Sequence, residues 1–165
     1  YALIRMMNII KPVYNHGIAV IRPEINNDIS GIIRFDDMVY EDIDLVMCKI
    51  SVNLQGVPDG EHGFHIHEKG DLSKGCESVC THYNPANVVH GSIYSGHVGD
   101  LGNLISVNSQ INTTLFATRF TTDEIIGRSI VLHEKFDDLG KGKDTESLKT
   151  GNSGKRIACA VIGIV

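Results

Sequence analysis

His62-Gly-Phe-His-Ile-His-Glu-Lys-Gly-Asp71 is the stretch on which the reading of the chain turns. The step His65-Ile66-His67 sets two histidines two residues apart, and in an extended strand such residues leave the same face of the sheet. Two imidazoles then face one point. Imidazole suits copper, zinc, iron or nickel, so the pair marks a candidate metal site without naming the ion. A pair of this kind also arises as a surface patch, and residues further along the chain separate the two readings.

The totals around this stretch limit what the chain can be. Its 165 residues suit one domain with a core of its own. An apolar content of 42%, 17 glycines and no tryptophan fit a globular protein of strands and turns. A net charge of -5 argues against attraction to nucleic acid or to an anionic membrane surface, and no apolar run is long enough for a transmembrane helix. An anionic substrate would need a local positive field. Residues 1–15 show neither a long apolar centre nor a small-residue cleavage site, which reads as an N-terminal extension of unknown role on a cytoplasmic chain. Residues 16–165 form the domain. The four cysteines, Cys48, Cys76, Cys80 and Cys159, permit three full pairings and contain no Cys-x-x-Cys step, which disfavours a zinc finger. They are too few for a disulfide scaffold.

Short runs rich in Ile and Val, Gly17 to Arg22 and Ile29 to Phe35, flank a turn-forming cluster and predict two antiparallel strands. Ile43 to Leu54 ends in strict alternation and predicts a half-buried strand. Further strands are predicted at Leu104 to Gln110, Thr113 to Thr121, Ile125 to His133 and Ile157 to Val165, giving about eight with the histidine stretch and no long helix. Two segments, Gly70 to Asn103 and Asp137 to Lys155, show no sustained period. Connections of that length usually carry function. The fold class is therefore all-β, a sandwich or barrel with two long functional loops.

The first of these loops contains His82, His90, His97 and Asp100, three imidazoles and a carboxylate of the number and type that hold tetrahedral zinc. His65, His67 and the later His133 could form a second, imidazole-only site of the kind that favours copper.

With these residues in hand, the chain resembles the copper/zinc superoxide dismutases, of the intracellular eukaryotic type, from about Gly17 to Ile164. The stretches that carry the resemblance are His62 to Asp71, Gly75-Cys76, His82-Tyr-Asn-Pro85, His90-Gly91, His97 to Asn103, Ile126-Gly-Arg128, His133 to Gly142 and Lys149 to Ile164. The family is a standing example of β-sandwich architecture, so the resemblance implies an eight-stranded Greek-key sandwich or flattened barrel. It implies copper on His65, His67, His82 and His133, and zinc on His82, His90, His97 and Asp100, one of each ion per chain, with His82 bridging them. It makes Asp137 the carboxylate that orients a copper-side and a zinc-side imidazole. Arg156 becomes the anion-holding guanidinium beside copper, with Lys149 and Thr150 along the approach channel. It pairs Cys76 with Cys159, which in a chain-entropy picture is worth roughly 4–5 kcal/mol. Cys80 is then a competitor in the same loop and Cys48 a buried free thiol.

The implied activity is dismutation of superoxide to dioxygen and hydrogen peroxide by redox-cycling copper beside structural zinc, in antioxidant defence. His82 would move the proton that the reaction needs. Superoxide is the implied substrate, a second copy of the chain the implied dimer partner, and a copper chaperone a further partner. Three positions depart from the family pattern. Lys69 stands where an aromatic is common near the dimer face, the segment between His90 and His97 is short, and Thr145 replaces a channel carboxylate, so fewer acids are expected there. His62 is read as structural and His16 as a surface residue. The competing readings are a metal-binding or copper-chaperone-like module without dismutase turnover and a zinc-ordered binding domain. The complete copper set argues against the first, and Arg156 with His133 against the second.

Overall fold

The computed structural model describes residues 16–43 and 45–165; the expected extension, 1–15, lies outside them. Its principal strands are β1 His16–Ile21, β2 Ser30–Tyr40, β3 Leu45–Gln55, β4 Gly60–His67, β6 Asp100–Ser106, β7 Gln110–Ala117, β8 Ser129–His133 and β9 Arg156–Val161. Two short ones, β5 Ser73–Cys76 and β10 Gly163–Ile164, were hidden inside the predicted loop and the predicted last strand. The expected all-β sandwich is present as two antiparallel sheets, ordered β10-β1-β2-β3-β7 and β6-β4-β8-β9.

Several boundaries differ from the sequence reading. The ladder between β2 and β3 continues through Asp37↔Cys48 to Tyr40↔Leu45, well past Phe35, because two acids do not interrupt backbone pairing and Met38, Val39 and Tyr40 follow them opposite Met47, Val46 and Leu45. The predicted strand from Ile125 begins only at Ser129. Before it, Thr122–Ile125 forms a short helix, α1, started by a reciprocal capping box between Thr121 and Glu124. A second one-turn helix, α2 Ser147–Thr150, lies in the later loop. The strand predicted from Leu104 starts earlier, at Asp100.

The two sheets enclose a core of Ile33, Phe35, Ile50 and Leu54 from one side and Phe64, Ile66, Ile130 and Leu132 from the other. Strand β8 is buried along its whole length. Ile130 and Leu132 face this core, whereas Val131 packs with Cys159 and Val79 in a second cluster beneath the loops. Strand β4 shares that two-sided burial: Phe64 and Ile66 point to the core, so His65 and His67 leave the opposite face and are covered by the loops. A Cys76–Cys159 disulfide ties the first loop to β9. Cys48 is buried and free, and Cys80 is free and partly exposed.

Candidate metal centre

Two irregularities in the second sheet place the remaining side chains. Between β4 and β6 the register slips after Gly63↔Asn103, so that His65 faces Asp100. Between β8 and β9 it slips after Leu132↔Ala158, so that His133 faces Arg156. A bulge re-aims the side chains beyond it. Leu101 and Leu104, of opposite parity, can therefore both be buried in the core while Asp100 turns to the histidines.

Two donor groups that share His82 result, His65, His67, His82 and His133, and His82, His90, His97 and Asp100, with the donor atoms of each within 4.8 Å of one another. All seven residues are buried. In the second group Asp100 Oδ1 lies 2.9 Å from His82 Nδ1, 3.0 Å from His90 Nδ1 and 3.1 Å from His97 Nδ1. Donors about 2.0 Å from a tetrahedral zinc ion keep a spacing of about 3.3 Å, close to these values. In the first group His67 Nδ1 donates to the carbonyl of Cys80 and His133 Nδ1 to that of Gly154. Their Nε2 atoms are left 3.4 Å apart.

The fit to two ions rests on atoms without partners. His65 Nδ1, His82 Nε2 and His90 Nδ1 are buried and lack a hydrogen bond, although His90 Nδ1 has the Asp100 carboxylate nearby at an unsuitable angle. Buried polar atoms of this kind call for a partner, and lone pairs converging on one point suit a cation. The opposite nitrogens of His65 and His90 are both held by Asp137, at 2.8 and 2.7 Å. Gly151 is required beside this carboxylate: its backbone is left-handed, and a Cβ there would overlap Asp137 Oδ1 and His90 Nε2.

Without ions the electrostatics are one-sided. Burial, then repulsion from neighbouring imidazoles, holds His65 and His67 well below the usual histidine range. Burial first and His82 second push His133 down to about 3. Burial also opposes the charge on His90, but the nearby Asp100 carboxylate and the bond to Asp137 prevail and raise it to about 9. Burial works against the Asp100 carboxylate too, yet bonds from His82 and His97 and the nearby His90 ring keep it well below the ordinary carboxylate range. The rings of the first group are thus neutral lone-pair donors, and in the second group the Asp100 carboxylate carries negative charge.

The first group opens onto a cavity of about 790 Å³ lined by His82, His133, Glu146, Lys149, Thr150 and Arg156. The Arg156 guanidinium is fixed by the carbonyls of Cys76 at 2.7 Å, Glu77 at 3.2 Å and Cys80 at 2.5 Å. The family model for copper/zinc superoxide dismutase (SODC) matches residues 29–162.

The chain belongs to the copper/zinc superoxide dismutase family.

Among its relatives, the copper/zinc superoxide dismutase of Paramecium bursaria Chlorella virus 1 is 44% identical, over 95% of this chain and 81% of its own length. Superoxide dismutase A of Xenopus laevis is 45% identical over 84% and 91%, and the extracellular superoxide dismutase of Drosophila melanogaster is 51% identical over 70% and 67%. The crystal structure of the clock protein EA4 superposes with a TM-score of 0.84 at 41% identity, covering 94% of this chain and 98% of that one. Copper and zinc are accordingly the cofactors of this dismutase, and its reaction is the dismutation of superoxide.

The structure brings together every histidine singled out for the metals, with Asp100, Asp137 and Arg156. His62 is buried and bridges the carbonyls of His133 and Pro58, each at 2.8 Å. His16 is exposed and pairs with Asp36. The channel differs from expectation in one respect: although position 145 is threonine, Glu146 lines the cavity and lies 3.6 Å from Lys149. Asn103 had no assigned role. Its amide clamps the backbone of Asp137 from both sides, donating to the carbonyl at 2.8 Å and accepting from the N–H at 2.6 Å. Only the tertiary fold brings 103 to 137, so no local pattern could have revealed it.

Proposed function

We propose that in this superoxide dismutase His65, His67, His82 and His133 hold copper, and His82, His90, His97 and Asp100 hold zinc. The single observation that carries the assignment is the state of His82: its Nδ1 belongs to the carboxylate-bearing group, and its buried Nε2 has no partner and faces the imidazole-only group. Imidazole donors suit copper, and histidines with a carboxylate suit zinc. Copper supplies the one-electron oxidation and reduction; zinc has no redox chemistry and orders the loop.

The chain's own residues account for the rest. Arg156, held in place by three carbonyls, presents charge-assisted donors to superoxide at the floor of the cavity. Lys149 adds positive charge on the way in, with Glu146 beside it. Superoxide dismutases are themselves a standing example of such steering, and it reconciles an anionic substrate with a net charge of -5. His82 Nε2 holds a proton during one half of the cycle and in the other gives it to the developing peroxide, which takes its second proton from solvent to leave as hydrogen peroxide. Asp137 keeps the His65 and His90 rings turned to their ions.

Residues 16–165 are the catalytic domain and 1–15 an extension. The chain works as a homodimer through the patch around Gly70, Gly127, Val161 and the exposed Ile164, where Lys69 is also exposed. Burial of the copper donors favours delivery by a chaperone over capture of free ions. Two free thiols beside one disulfide support a cytoplasmic setting, against which the extracellular relatives are to be weighed by fractionation of the native protein.

The test is superoxide decay followed directly, with metal content determined on the same sample. Fast decay at low ionic strength, slowed by salt and absent without copper, is expected. Full loading with both metals and decay no faster than free-metal controls would favour the copper-chaperone-like module instead.

A further inference from the structure

The segment between His90 and His97 is short and folded on itself. Ser95 N–H donates to Ser92 O at 2.9 Å, and the backbone N–H groups of Gly91 and His97 both donate to Asp100 Oδ2 at 2.9 Å. A Cβ on Gly96 would overlap the Gly91 backbone, so the two ends of the segment touch. Nearly all these ties are internal or run to Asp100, itself a zinc-side donor.

One anchor comes from elsewhere. Arg119, between β7 and α1, donates from Nη1 to the carbonyl of His97 at 3.0 Å and from Nη2 to that of Gly96 at 2.5 Å. Among the described residues, the other hydrogen bonds leaving 91–97 go to Asp100 or to the His82 ring. Arg119 is half-buried, and among the described residues its guanidinium is engaged by these two backbone carbonyls and by no carboxylate. A planar fork suits two adjacent carbonyls as a lysine ammonium does not.

We propose that Arg119 is a positioning residue for zinc: it fastens the Gly96–His97 turn to the barrel and so fixes the direction of the His97 ring. The proposal rests on the assignment of zinc to His82, His90, His97 and Asp100. Removing the fork leaves the His97 turn held only through Asp100 and the His82 ring, both of them zinc-side donors. Groups that orient a metal ligand from outside commonly change affinity by about 10–100-fold, and an effect on zinc release at the lower end is expected.

The experiment uses the copper- and zinc-loaded protein and follows release of each metal to a competing chelator at neutral pH. Arg119→Met keeps the apolar stem and removes both donors; Arg119→Lys keeps the charge and one donor. Zinc release should be about 10-fold faster for Arg119→Met and intermediate for Arg119→Lys, with copper release and melting of the metal-free chain unchanged. Zinc release equal to that of the parent in Arg119→Met overturns the proposal, as does equal acceleration of both metals with a lowered metal-free melting point. A His97→Ala chain that retains zinc as tightly as the parent would instead overturn the underlying assignment. If Arg119→Met does not fold, Arg119→Lys decides, because its zinc release must still exceed the parent's.

Discussion

Three of the four histidines proposed for copper stand on paired strands, His65 and His67 on β4 and His133 on β8, whereas three of the four donors proposed for zinc come from the loop between β5 and β6. The two halves share His82 and a wall of buried rings, yet different forces hold them. On the strand side a backbone ladder and the apolar core below it set the positions before any ion arrives. On the loop side Asp100 and Asp137 gather histidines whose backbone has little ladder of its own. The difference implies a preformed copper half beside a zinc half that is ordered by its charges.

The largest expected effect comes from removing one donor on each side. His133→Ala should abolish superoxide decay above the free-metal background and empty copper while zinc stays, as metal analysis of the purified chain would show. His97→Ala should empty zinc and leave copper bound with reduced turnover. Loss of both metals in both variants would break the distinction.

A smaller effect is expected when both ions are stripped from the intact chain. Amide exchange should accelerate across 81–99 and stay slow in β4 and β8, because local opening costs least where few backbone bonds and apolar contacts resist it. Uniform acceleration through β4 and β8 would mean that the strand half, too, depends on metal.

Acid gives the smallest and most gradual effect. In the metal-free chain the folded pKa of His133 is depressed from 6.5 to about 3, and Asp100 is also depressed. A depressed group contributes stability above its unfolded pKa and loses it as pH falls through the folded value. For His133 that window runs from 6.5 down to about 3. His90 has the opposite sign: raised to about 9, it contributes below 6.5 and ceases to do so as pH rises toward that value. Thermal melting should therefore fall steadily below pH 6.5, by roughly 2–4 °C for each kcal/mol lost. A flat profile between 6.5 and 3 would contradict the neutral burial of the copper-side rings.

Much of this was legible in the sequence, for reasons that also explain the omissions. His-x-His on a strand is a local pattern, and the ligand order His82, His90, His97, Asp100 survives as spacing even though the loop has no period. The two register slips are not local: nothing in Leu101-Gly102-Asn103 announces that Asp100 turns opposite to its regular parity, nor in Lys155-Arg156-Ile157 that Arg156 meets His133. Strand β5, Ser-Lys-Gly-Cys, contains no strong strand former and disappears into its loop. The far end of the β2–β3 hairpin lies beyond the predicted strand because Asp36 and Asp37, both weak strand formers, follow Phe35 and break its apolar run. Asn103 and Arg119 act through carbonyls and amides of distant residues, contacts to which sequence patterns are blind.

Anomalous diffraction from crystals of the loaded protein, recorded on either side of the copper and zinc absorption edges, would test the division of the site most directly. Copper signal is expected among His65, His67, His82 and His133 and zinc signal among His82, His90, His97 and Asp100. Zinc signal in the imidazole-only group, or copper beside Asp100, in a fully loaded and active sample would contradict that division.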